Sequence, residues 1–429
     1  MDGLVYPDRT VHTGLLEYKN VYRPARVISY NKESGELVLH NYMDFDDLKD
    51  YVKISYELTQ DGLVISKGIL PEFSVAPHGE GKTNLKINVP ENGKCYLKLI
   101  YHLKKELPLL DEDHILGFDE IEVSKEDTKC KLAEKWIPKT VVDSELQVNE
   151  NDTQIHIKGR EFAYTIDKRT ALFTEMKFAG REYLNHPMEL NIWRAPTDND
   201  MYIKAEWKKA HYDKAYTRAY TTEVVQGKHG VKIVSHASVV AETVQKILDV
   251  TITWKIDASG KIDADIEATK DGEFPDLPRF GVRMFLDKKL ADIRYFGMGP
   301  QESYRDKHQA ASHGLYRANV GDLHEDYIRP QENGSHYDCG YVELNNSRYG
   351  MSAFSESTFS FNASYYTQEE LEKKTHNYEL AESDSVVLCV DYALNGIGSN
   401  SCGPVVLDQY RFNDVLFRFQ FTLVPYVKG

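Results

Sequence analysis

The sequence predicts an all-β protein in which a β-sandwich is followed by a larger antiparallel β structure. At 429 residues the chain is longer than one hydrophobic core usually supports. From about residue 20 onward, short segments alternate apolar and polar residues, and Gly or Asp turns separate them. Only "MYIKAEWKKAHYDKAY" and "TQEELEKKTHNYEL" have a helix-like composition. Two domains built from strands are therefore expected.

The first domain is predicted from about residue 20 to a boundary near residue 140, on the basis of three hairpin signals. "RVISYNKESGELVLHNY", "YVKISYELTQDGLVISKG" and "KTNLKINVPENGKCYLKLIYHLKK" each place two strand-like runs around a polar turn. The turns are Lys32–Gly35, Asp61-Gly62 and Glu91–Gly93, and Gly in such turns favours hairpins. Short strands at this spacing predict a β-sandwich of about 100 residues.

The second domain is predicted over residues 140–429, after a charged and turn-rich stretch. Period-2 segments such as "TVQKILDVTITWKIDASGKIDADIEAT" and "RFGVRMFLDKKLADIRYFGMG" run through it. Residues 1–20 fit neither domain and are predicted to form a loop and a short helix-like turn.

Charge, cysteine content and hydropathy exclude several classes of protein. The net charge of −15, without a Lys/Arg-rich block, argues against a nucleic-acid partner. No stretch approaches the roughly 20 apolar residues that span a bilayer, so we expect no membrane segment. The five cysteines are scattered, without CxxC spacing, and are expected to be reduced thiols. A cytoplasmic location is the expectation.

The segment "NIWRAPTDND", residues 191–200, combines an indole, a guanidinium and several amide or carboxylate side chains. Sugars present C–H faces to aromatic rings and hydroxyl pairs to Asp, Asn and Arg, so this mixture suits a saccharide rim. The alternative is a rigid loop in which Asp and Asn bond their own backbone and Arg194 pairs internally.

Two further polar segments carry candidate groups, and each has a structural alternative. "GMGPQESYRDKHQAA" contains the cluster Gln301, Glu302, Tyr304 and Arg305, which suits a ligand or a buried hydrogen-bonded network. "RPQENGSHYDCGYVEL" contains an acid/base candidate set or a polar turn that enters an edge strand. The candidates in that segment are Arg329, Gln331, Glu332, Asn333, His336 and Asp338.

No convincing catalytic pair is found. "NGIGSNSCGPVV" offers Ser399 and Cys402 as nucleophiles, but no adjacent base accompanies them. A glycosidase needs two carboxyl groups that face each other across the scissile bond, and the acidic clusters of this chain are typical of solvated loops and helix faces.

These motifs, in this order and together with "MDGLVYPDRTVHTGLLEYK", resemble the C-terminal half of large bacterial β-galactosidases of glycoside hydrolase family 2. The resemblance implies that residues 1–20 are the remnant of a TIM-barrel exit. It also implies that residues 21–137 form an immunoglobulin-like β-sandwich and that residues 140–429 form the large terminal, mutarotase-like β-sandwich.

The resemblance implies a role in shaping the sugar pocket, because both catalytic glutamates of the family belong to the barrel. No catalytic residue is therefore expected in this chain. The loop from Asp198 to Lys204 is similar to one that closes over the pocket, and Cys402 falls where the best-known members carry a Trp platform for the aglycone. A thiol cannot stack on a hexose as an indole does. The implied pocket-loop residues are Asp198, Asn199, Asp200, Met201, Ser399 and Cys402.

The resemblance also implies partners and cofactors. The expected partner is the barrel-bearing N-terminal half or large subunit. The expected substrate is a β-galactoside such as lactose, which is hydrolysed with retention of configuration. The assembly is expected to be an oligomer. No cofactor is expected in this chain, whereas Mg²⁺ and Na⁺ or K⁺ are compatible with the complete enzyme. Asp2 falls where an Asn of the family helps to hold an alkali-metal ion, and its carboxylate changes the charge there.

A rival hypothesis is a free-standing carbohydrate-binding or mutarotase-like protein. Epimerisation of a hemiacetal needs an acid and a base, and His336 with Glu302 or Glu332 would supply them. A third reading is a purely structural oligomerisation module.

Overall fold

The computed structural model describes residues 3–125, 128–136, 145–398 and 403–428. Within it the chain divides into two compact units. Unit 1 comprises Met1–Leu132 and His308–Leu315, and unit 2 comprises Ala133–Lys307 and Tyr316–Gly429. Residues 308–315 thus group with unit 1, although the sequence boundary near residue 140 assigns them to the second domain.

Unit 1 is a two-sheet sandwich. Its elements are α1 (Thr13–Val21), β1 (Ala25–Tyr30), β2 (Glu36–Asn41), α2 (Leu48–Tyr51), β3 (Val52–Gln60), β4 (Leu63–Ile69), β5 (Glu80–Asn84), β6 (Cys95–Leu103) and β7 (Ile115–Glu122). One sheet has the order β1-β2-β5 and the other β4-β3-β6-β7. Inward side chains of both sheets, such as Leu37, Leu39, Leu97 and Leu99, form one apolar core, as expected of strands with one buried face.

Two of the three predicted hairpins of unit 1 form. Gly35 has a φ of 79°, and the turn joins β1 to β2, which pair antiparallel. Asp61 and Gly62 have φ values of 49° and 78° between the paired strands β3 and β4, and positive φ at both central residues is what the twist of a two-residue hairpin requires.

The third hairpin prediction, around Glu91–Gly93, is wrong. The strands on either side of this turn, β5 and β6, lie in different sheets. β5 pairs with β2, whereas β6 pairs with β3 and β7. Pro90 precedes the turn and has no N–H to give to a ladder, so the segment crosses between the sheets instead of closing a hairpin.

In the described ranges, unit 2 contains most of the strands and three further α-helices. Its elements are α3 (Leu132–Trp136, which begins at the last residue of unit 1), β8 (Gln147–Glu150), β9 (Gln154–Lys158), β10 (Phe162–Asp167), β11 (Leu172–Phe178), β12 (Arg181–Glu182), β13 (Leu184–Asn191), α4 (Ile203–Lys209), β14 (Tyr216–Gln226), β15 (Gly230–Val240), β16 (Leu248–Asp257), β17 (Ile262–Lys270), β18 (Arg279–Asp287), β19 (Asp292–Gly299), β20 (Ser312–Asn319, which begins in the segment assigned to unit 1), β21 (Ser335–Asn345), β22 (Tyr349–Ser364), α5 (Gln368–Lys373), β23 (Ser385–Leu394) and β24 (Leu416–Val427).

The strands of unit 2 form a twelve-stranded and a five-stranded sheet. The large sheet has the order β13-β18-β23-β22-β24-β17-β16-β15-β14, with β19 paired to β20 and β21, and β21 paired to β22. The small sheet has the order β12-β11-β10-β9-β8. Alternate residues face the core, as in β17, where Ile262, Ala264 and Ile266 are buried. Trp254 packs edge-on against Phe173 within this core.

The all-β fold class is confirmed, with 49% of the residues in strands and 11% in helices. The two segments of helix-like composition contain α4 and α5. Thr367 begins α5 because its side chain accepts a hydrogen bond from the Glu370 N–H at 3.1 Å. None of the helices in the described ranges combines the length and hydropathy that a bilayer crossing requires.

One edge of the large sheet collects the polar segments predicted from the sequence. Antiparallel pairing places Asn191 of β13 beside Gly281 of β18, and Arg279 of β18 beside Leu394 of β23. β21 and β22 pair at His336 and Phe361, and Phe361 pairs in turn with β23. The C-terminal ends of β13 and β23 and the N-terminal ends of β18 and β21 therefore lie together at one end of the strands of this sheet. We call this end of the sheet the site edge.

Candidate functional site

Arg194 organises the first loop of the site edge. Its side chain is fully buried, and its Nε and Nη2 donate to the two carboxylate oxygens of Asp200 at 3.1 and 2.7 Å. Asp200 also accepts the Thr197 N–H at 2.9 Å. A bidentate guanidinium–carboxylate pair has a fixed geometry, so it closes the 3₁₀ turn Asp198–Asp200 onto the segment that follows β13.

The same guanidinium joins this loop to the loop that follows β23. Nη1 donates to the Asn395 carbonyl at 2.5 Å, and Nη2 donates to the Gly396 carbonyl at 3.1 Å. The Asn199 amide donates to the Ile397 carbonyl at 2.8 Å. We call the Arg194–Asp200 pair and its bonds to the carbonyls of Asn395 and Gly396 the loop brace. It makes one rigid unit of two loops that are about 200 residues apart in the chain.

Asp306 is hydrogen-bonded to the loop that follows β23. Its carboxylate accepts the N–H groups of Ile397 at 3.0 Å and Gly398 at 2.7 Å. A Cβ on Gly396 or Gly398 would lie 2.7 or 2.8 Å from an Asp306 oxygen, so the glycines of "NGIG" permit this close approach. Asp306 is not predicted from the sequence, although it directly follows the candidate residue Arg305. No local pattern indicates that its partners are backbone N–H groups far along the chain.

The segment before β21 is bonded to the first loop as well. The side-chain oxygen of Gln331 accepts the Asp198 N–H at 3.0 Å, and the Glu332 N–H donates to the Ala195 carbonyl at 3.0 Å. β21 lies between β19 and β22 and is therefore not an edge strand, contrary to the second alternative for this segment. The structure thus brings the "RAPTDND", "QESYRD", "RPQENG" and "NGIG" segments together at the site edge.

Glu302 is the buried anion of this network. Its carboxylate accepts bonds from Lys307 Nζ at 2.5 Å, the Tyr327 hydroxyl at 2.5 Å and the Gly334 N–H at 2.9 Å. Burial raises the pKa of Glu302, but Lys307 and the hydrogen bonds outweigh it and lower the pKa to about 2. Glu302 is therefore ionised and occupied by internal partners.

Glu332 and Asp391 share one guanidinium. Arg279 donates to Asp391 at 2.6 Å and lies 3.4 Å from Glu332, and all three side chains are buried. Burial raises the pKa of both carboxyl groups, and Arg279 opposes the rise. Such an internal cluster is a packing element of the sheet edge and presents no carboxyl group to a ligand.

His336 is packed inside the sheet. Its ring lies against Phe361, with a centroid distance of 5.0 Å, and its Nδ1 lies 3.1 Å from the Met298 carbonyl oxygen, which makes Nδ1 the protonated donor. Burial lowers its pKa to about 4, so the ring is neutral near pH 7. Its Nε2 has no hydrogen-bond partner among the described residues.

The remaining candidates divide into internal and accessible groups. Trp193 is buried, and its indole N–H donates to Glu372 at 3.2 Å, so it braces the loop and offers no stacking face. Arg305 donates to the Arg411 carbonyl at 3.0 Å, and Asn333 donates to the Gln331 carbonyl at 2.9 Å. The other candidates are Tyr304, which is buried, Pro196, Gln301 and Asp338, which are half-buried, and Arg329, which is exposed.

The accessible pocket-loop residues are few. Met201 is 42% exposed, and Asp198 and Asn199 are half-buried. Asp200, in contrast, is enclosed by the loop brace and serves to position the loop. Ser399, Cys402 and Asp2 lie outside the described residues. Within the described ranges, no group of three or more His, Cys, Asp or Glu side chains is arranged to hold a metal ion.

Comparisons with known proteins place the chain in a family. A family model described as "Beta galactosidase small chain" matches residues 158–423, and one described as "Beta-galactosidase, domain 4" matches residues 37–124. A beta-galactosidase of Actinobacillus pleuropneumoniae is 43% identical over 99% of this chain and 41% of its own length. One of Staphylococcus xylosus is 31% identical over 99% of this chain and 42% of its own length.

The chain therefore spans about two fifths of the length of these curated relatives. Among solved structures, the galactose 1-epimerase of Lactobacillus acidophilus NCFM aligns with 66% of this chain and 100% of its own, at a TM-score of 0.38 and 10% identity. Because the small-chain family model covers well over half of the sequence, the chain belongs to the beta-galactosidase small-chain family.

Proposed function

We propose that this chain is the C-terminal region or small subunit of a β-galactosidase of glycoside hydrolase family 2. The complete enzyme hydrolyses terminal β-D-galactosides such as lactose with retention of configuration, and it acts as an oligomer in the cytoplasm. Retention requires a pair of carboxyl groups, which a barrel-bearing partner supplies. Any Mg²⁺ and Na⁺ or K⁺ belong to that complete enzyme. The chain itself shapes the sugar pocket.

The loop brace is the observation that carries this proposal. The two loops that the resemblance assigns to the pocket are joined to each other by Arg194 and Asn199. Pocket walls that are rigid before binding cost less ordering entropy when a ligand arrives. A pair of loops fixed in this way is suited to position a substrate for groups that another domain provides.

The buried carboxyl groups support the same division of labour. Glu302, Glu332 and Asp391 all point to internal cations, Lys307 in the first case and Arg279 in the other two. A glycosidase acid or nucleophile has to reach the scissile bond. These carboxyl groups are paired inside the protein and cannot reach a substrate, so the chain on its own is expected to be inactive.

The mutarotase-like alternative is less well supported. It requires His336 and Glu302 or Glu332 to exchange protons with a sugar. His336 is 1% exposed and neutral, and Glu302 is 6% exposed and paired with Lys307. An acid/base pair has to lie within hydrogen-bond reach of its substrate, and this geometry gives a sugar no access to either group.

Reconstitution with a barrel-bearing large chain tests the proposal. The purified chain is mixed with that partner over a range of concentrations, and hydrolysis of a nitrophenyl β-galactoside is followed. We expect no turnover from the 429-residue chain alone and saturable recovery of activity in the mixture. Absence of recovery at every concentration contradicts the proposal.

The Asn199→Ala variant sharpens this test. Loss of one neutral hydrogen bond, here to the Ile397 carbonyl, corresponds to about 1 kcal/mol, so we expect roughly a fivefold lower kcat/KM in the reconstituted enzyme. Asn185→Ala is the control, because its amide donates to the Asp384 carbonyl and to the Ser385 hydroxyl, and its side chain lies outside the two loops. Equal kcat/KM for both variants would argue for a purely structural module.

A further inference from the structure

A second polar cleft lies in unit 2, away from the site edge. It has a volume of about 560 Å³ and is formed by the start of β19, the end of β20 and the end of β21. Its charged lining residues are Asp292, Arg294, Arg317, Asp322, Glu343 and Lys428. Asp292 and Gly299 are the two ends of β19, so the cleft begins roughly 23 Å along the strand from the site edge, at about 3.3 Å per residue. We call it the far cleft.

The floor of the far cleft is rigid. Arg294 Nε donates to Glu343 at 3.0 Å, and the Tyr341 hydroxyl donates to the same carboxylate at 2.8 Å. The Trp136 ring lies over Arg294, with its centroid 3.8 Å from the guanidinium carbon. A guanidinium held by a carboxylate and an aromatic face has little freedom left. This pair therefore shapes the cleft without rearranging for a ligand.

The rim, in contrast, holds groups without partners. The Arg317 side chain and the Asp292 carboxylate are exposed, and neither makes a hydrogen bond or ion pair with another side chain in the described part of the chain. Lys428 Nζ donates to the side chain of Asn345, the residue that pairs with Asp292, at 2.7 Å. The rim of this cleft thus presents the guanidinium donors of Arg317 and the carboxylate of Asp292 to a ligand.

The charges of the far cleft balance. Three cationic and three anionic side chains line it, and one pair, Arg294 and Glu343, is already neutralised. A balanced lining produces no net field that would concentrate an ion. It favours an uncharged ligand that both donates and accepts many hydrogen bonds, and a cavity in the range of roughly 300–1,000 Å³ suits a small molecule. Sugars have this chemistry.

We propose that the far cleft is a second, non-catalytic saccharide site that holds one or two neutral hexose units. Arg317 donates to ring hydroxyls, Asp292 accepts from them, and the Arg294–Glu343 floor sets the depth. The site belongs to unit 2 alone and does not depend on the proposed pocket at the site edge. Its failure and that of the proposed function are therefore separate outcomes.

Ligand-detected NMR and calorimetric titration of the full 429-residue chain with D-galactose and lactose test this proposal. We expect weak, saturable binding without any partner chain. Hydrogen bonds to charged groups are stronger than neutral ones, so Arg317→Ala should weaken binding at least about tenfold. Asp292→Asn should weaken it by a smaller factor, because the amide oxygen still accepts a hydrogen bond. Arg160→Ala is the control, because Arg160 is an exposed arginine of the same unit and lies outside the cleft.

Two results would overturn the proposal. One is no saturable binding of either sugar to the wild-type chain. The other is binding of equal strength in the wild type, Arg317→Ala and Asp292→Asn, since the sugar would then occupy a different surface. Circular dichroism of each variant checks that the fold is intact, and the isosteric Asp292→Asn change keeps the test valid if Arg317→Ala perturbs the strand end.

Discussion

Arg194 and Arg317 are two arginines of the same unit in opposite environments. Arg194 is fully buried, and its bonds to Asp200 and to the carbonyls of Asn395 and Gly396 use its donors within the fold. Arg317 lies at the rim of a cleft, exposed and without a side-chain partner among the described residues. The contrast teaches that the donors of a guanidinium decide whether it can serve a ligand: those of Arg194 are used within the fold, and those of Arg317 are not.

The largest effect is expected from removing the buried arginine. Arg194→Met leaves the buried Asp200 side chain without its guanidinium partner, and breaking a buried pair from one side costs about 3–5 kcal/mol. All four tryptophans of the chain lie in unit 2, so tryptophan fluorescence during urea unfolding reports on this unit. We expect the free energy of unfolding to fall by that amount.

A double variant shows whether the uncompensated charge is the cause. Arg194→Met combined with Asp200→Leu removes both charges, and replacement of a buried pair by apolar side chains is often close to neutral. We expect the double variant to be more stable than Arg194→Met alone. If Arg194→Met lowers the unfolding free energy by less than about 1 kcal/mol, the loop brace is not a structural device and the contrast with Arg317 fails.

A pH-dependent effect is expected from His336. Its pKa is lowered to about 4 in the folded chain and returns to about 6.5 on unfolding. The unfolded state therefore binds more protons between these values, and stability is lost as the pH falls from 6.5 to 4. The shift corresponds to about 3 kcal/mol over the full window.

Comparison with His336→Phe isolates this contribution from those of the carboxyl groups. The variant keeps an aromatic ring beside Phe361 and removes the titrating group. Urea unfolding between pH 7 and pH 4 should show a shallower loss of stability in the variant than in the wild type. Parallel curves would mean that His336 is hydrated or bonded in the folded chain, and the site edge would then contain an accessible base after all.

The sequence predicts local features of this molecule better than its long-range partners. The turn Asp61-Gly62 was predicted because positive φ restricts the residues that fit there. Strand β7 was not predicted, and neither was the crossing of the chain from one sheet to the other between β5 and β6. Both depend on pairing with distant strands. At the site edge, the sequence identified the loops of Arg194 and Asn395, but not which side chain faces inward.

Electrostatic partners explain the remaining gap at the site edge. Asp200 and Asp306 are both carboxylates in polar loops, and the sequence alone suggests a ligand-binding role as readily as an internal one. Their partners, Arg194 and the N–H groups of Ile397 and Gly398, are fixed only when the strands of the large sheet assemble. Composition and spacing carry no information about that pairing.

The smallest effect on stability is expected from Arg317→Ala. An exposed side chain without a partner contributes little to folding, and such surface changes usually stay within about 0.5 kcal/mol. Urea unfolding monitored by tryptophan fluorescence should therefore give the same midpoint for Arg317→Ala, for Arg160→Ala and for the wild type. A loss of more than about 1 kcal/mol would mean that Arg317 has a structural partner in solution. If Arg317→Ala keeps its stability and loses sugar binding, whereas Arg194→Met loses stability, the two arginines have different roles. Arg194 then stabilises the fold, and Arg317 binds a ligand.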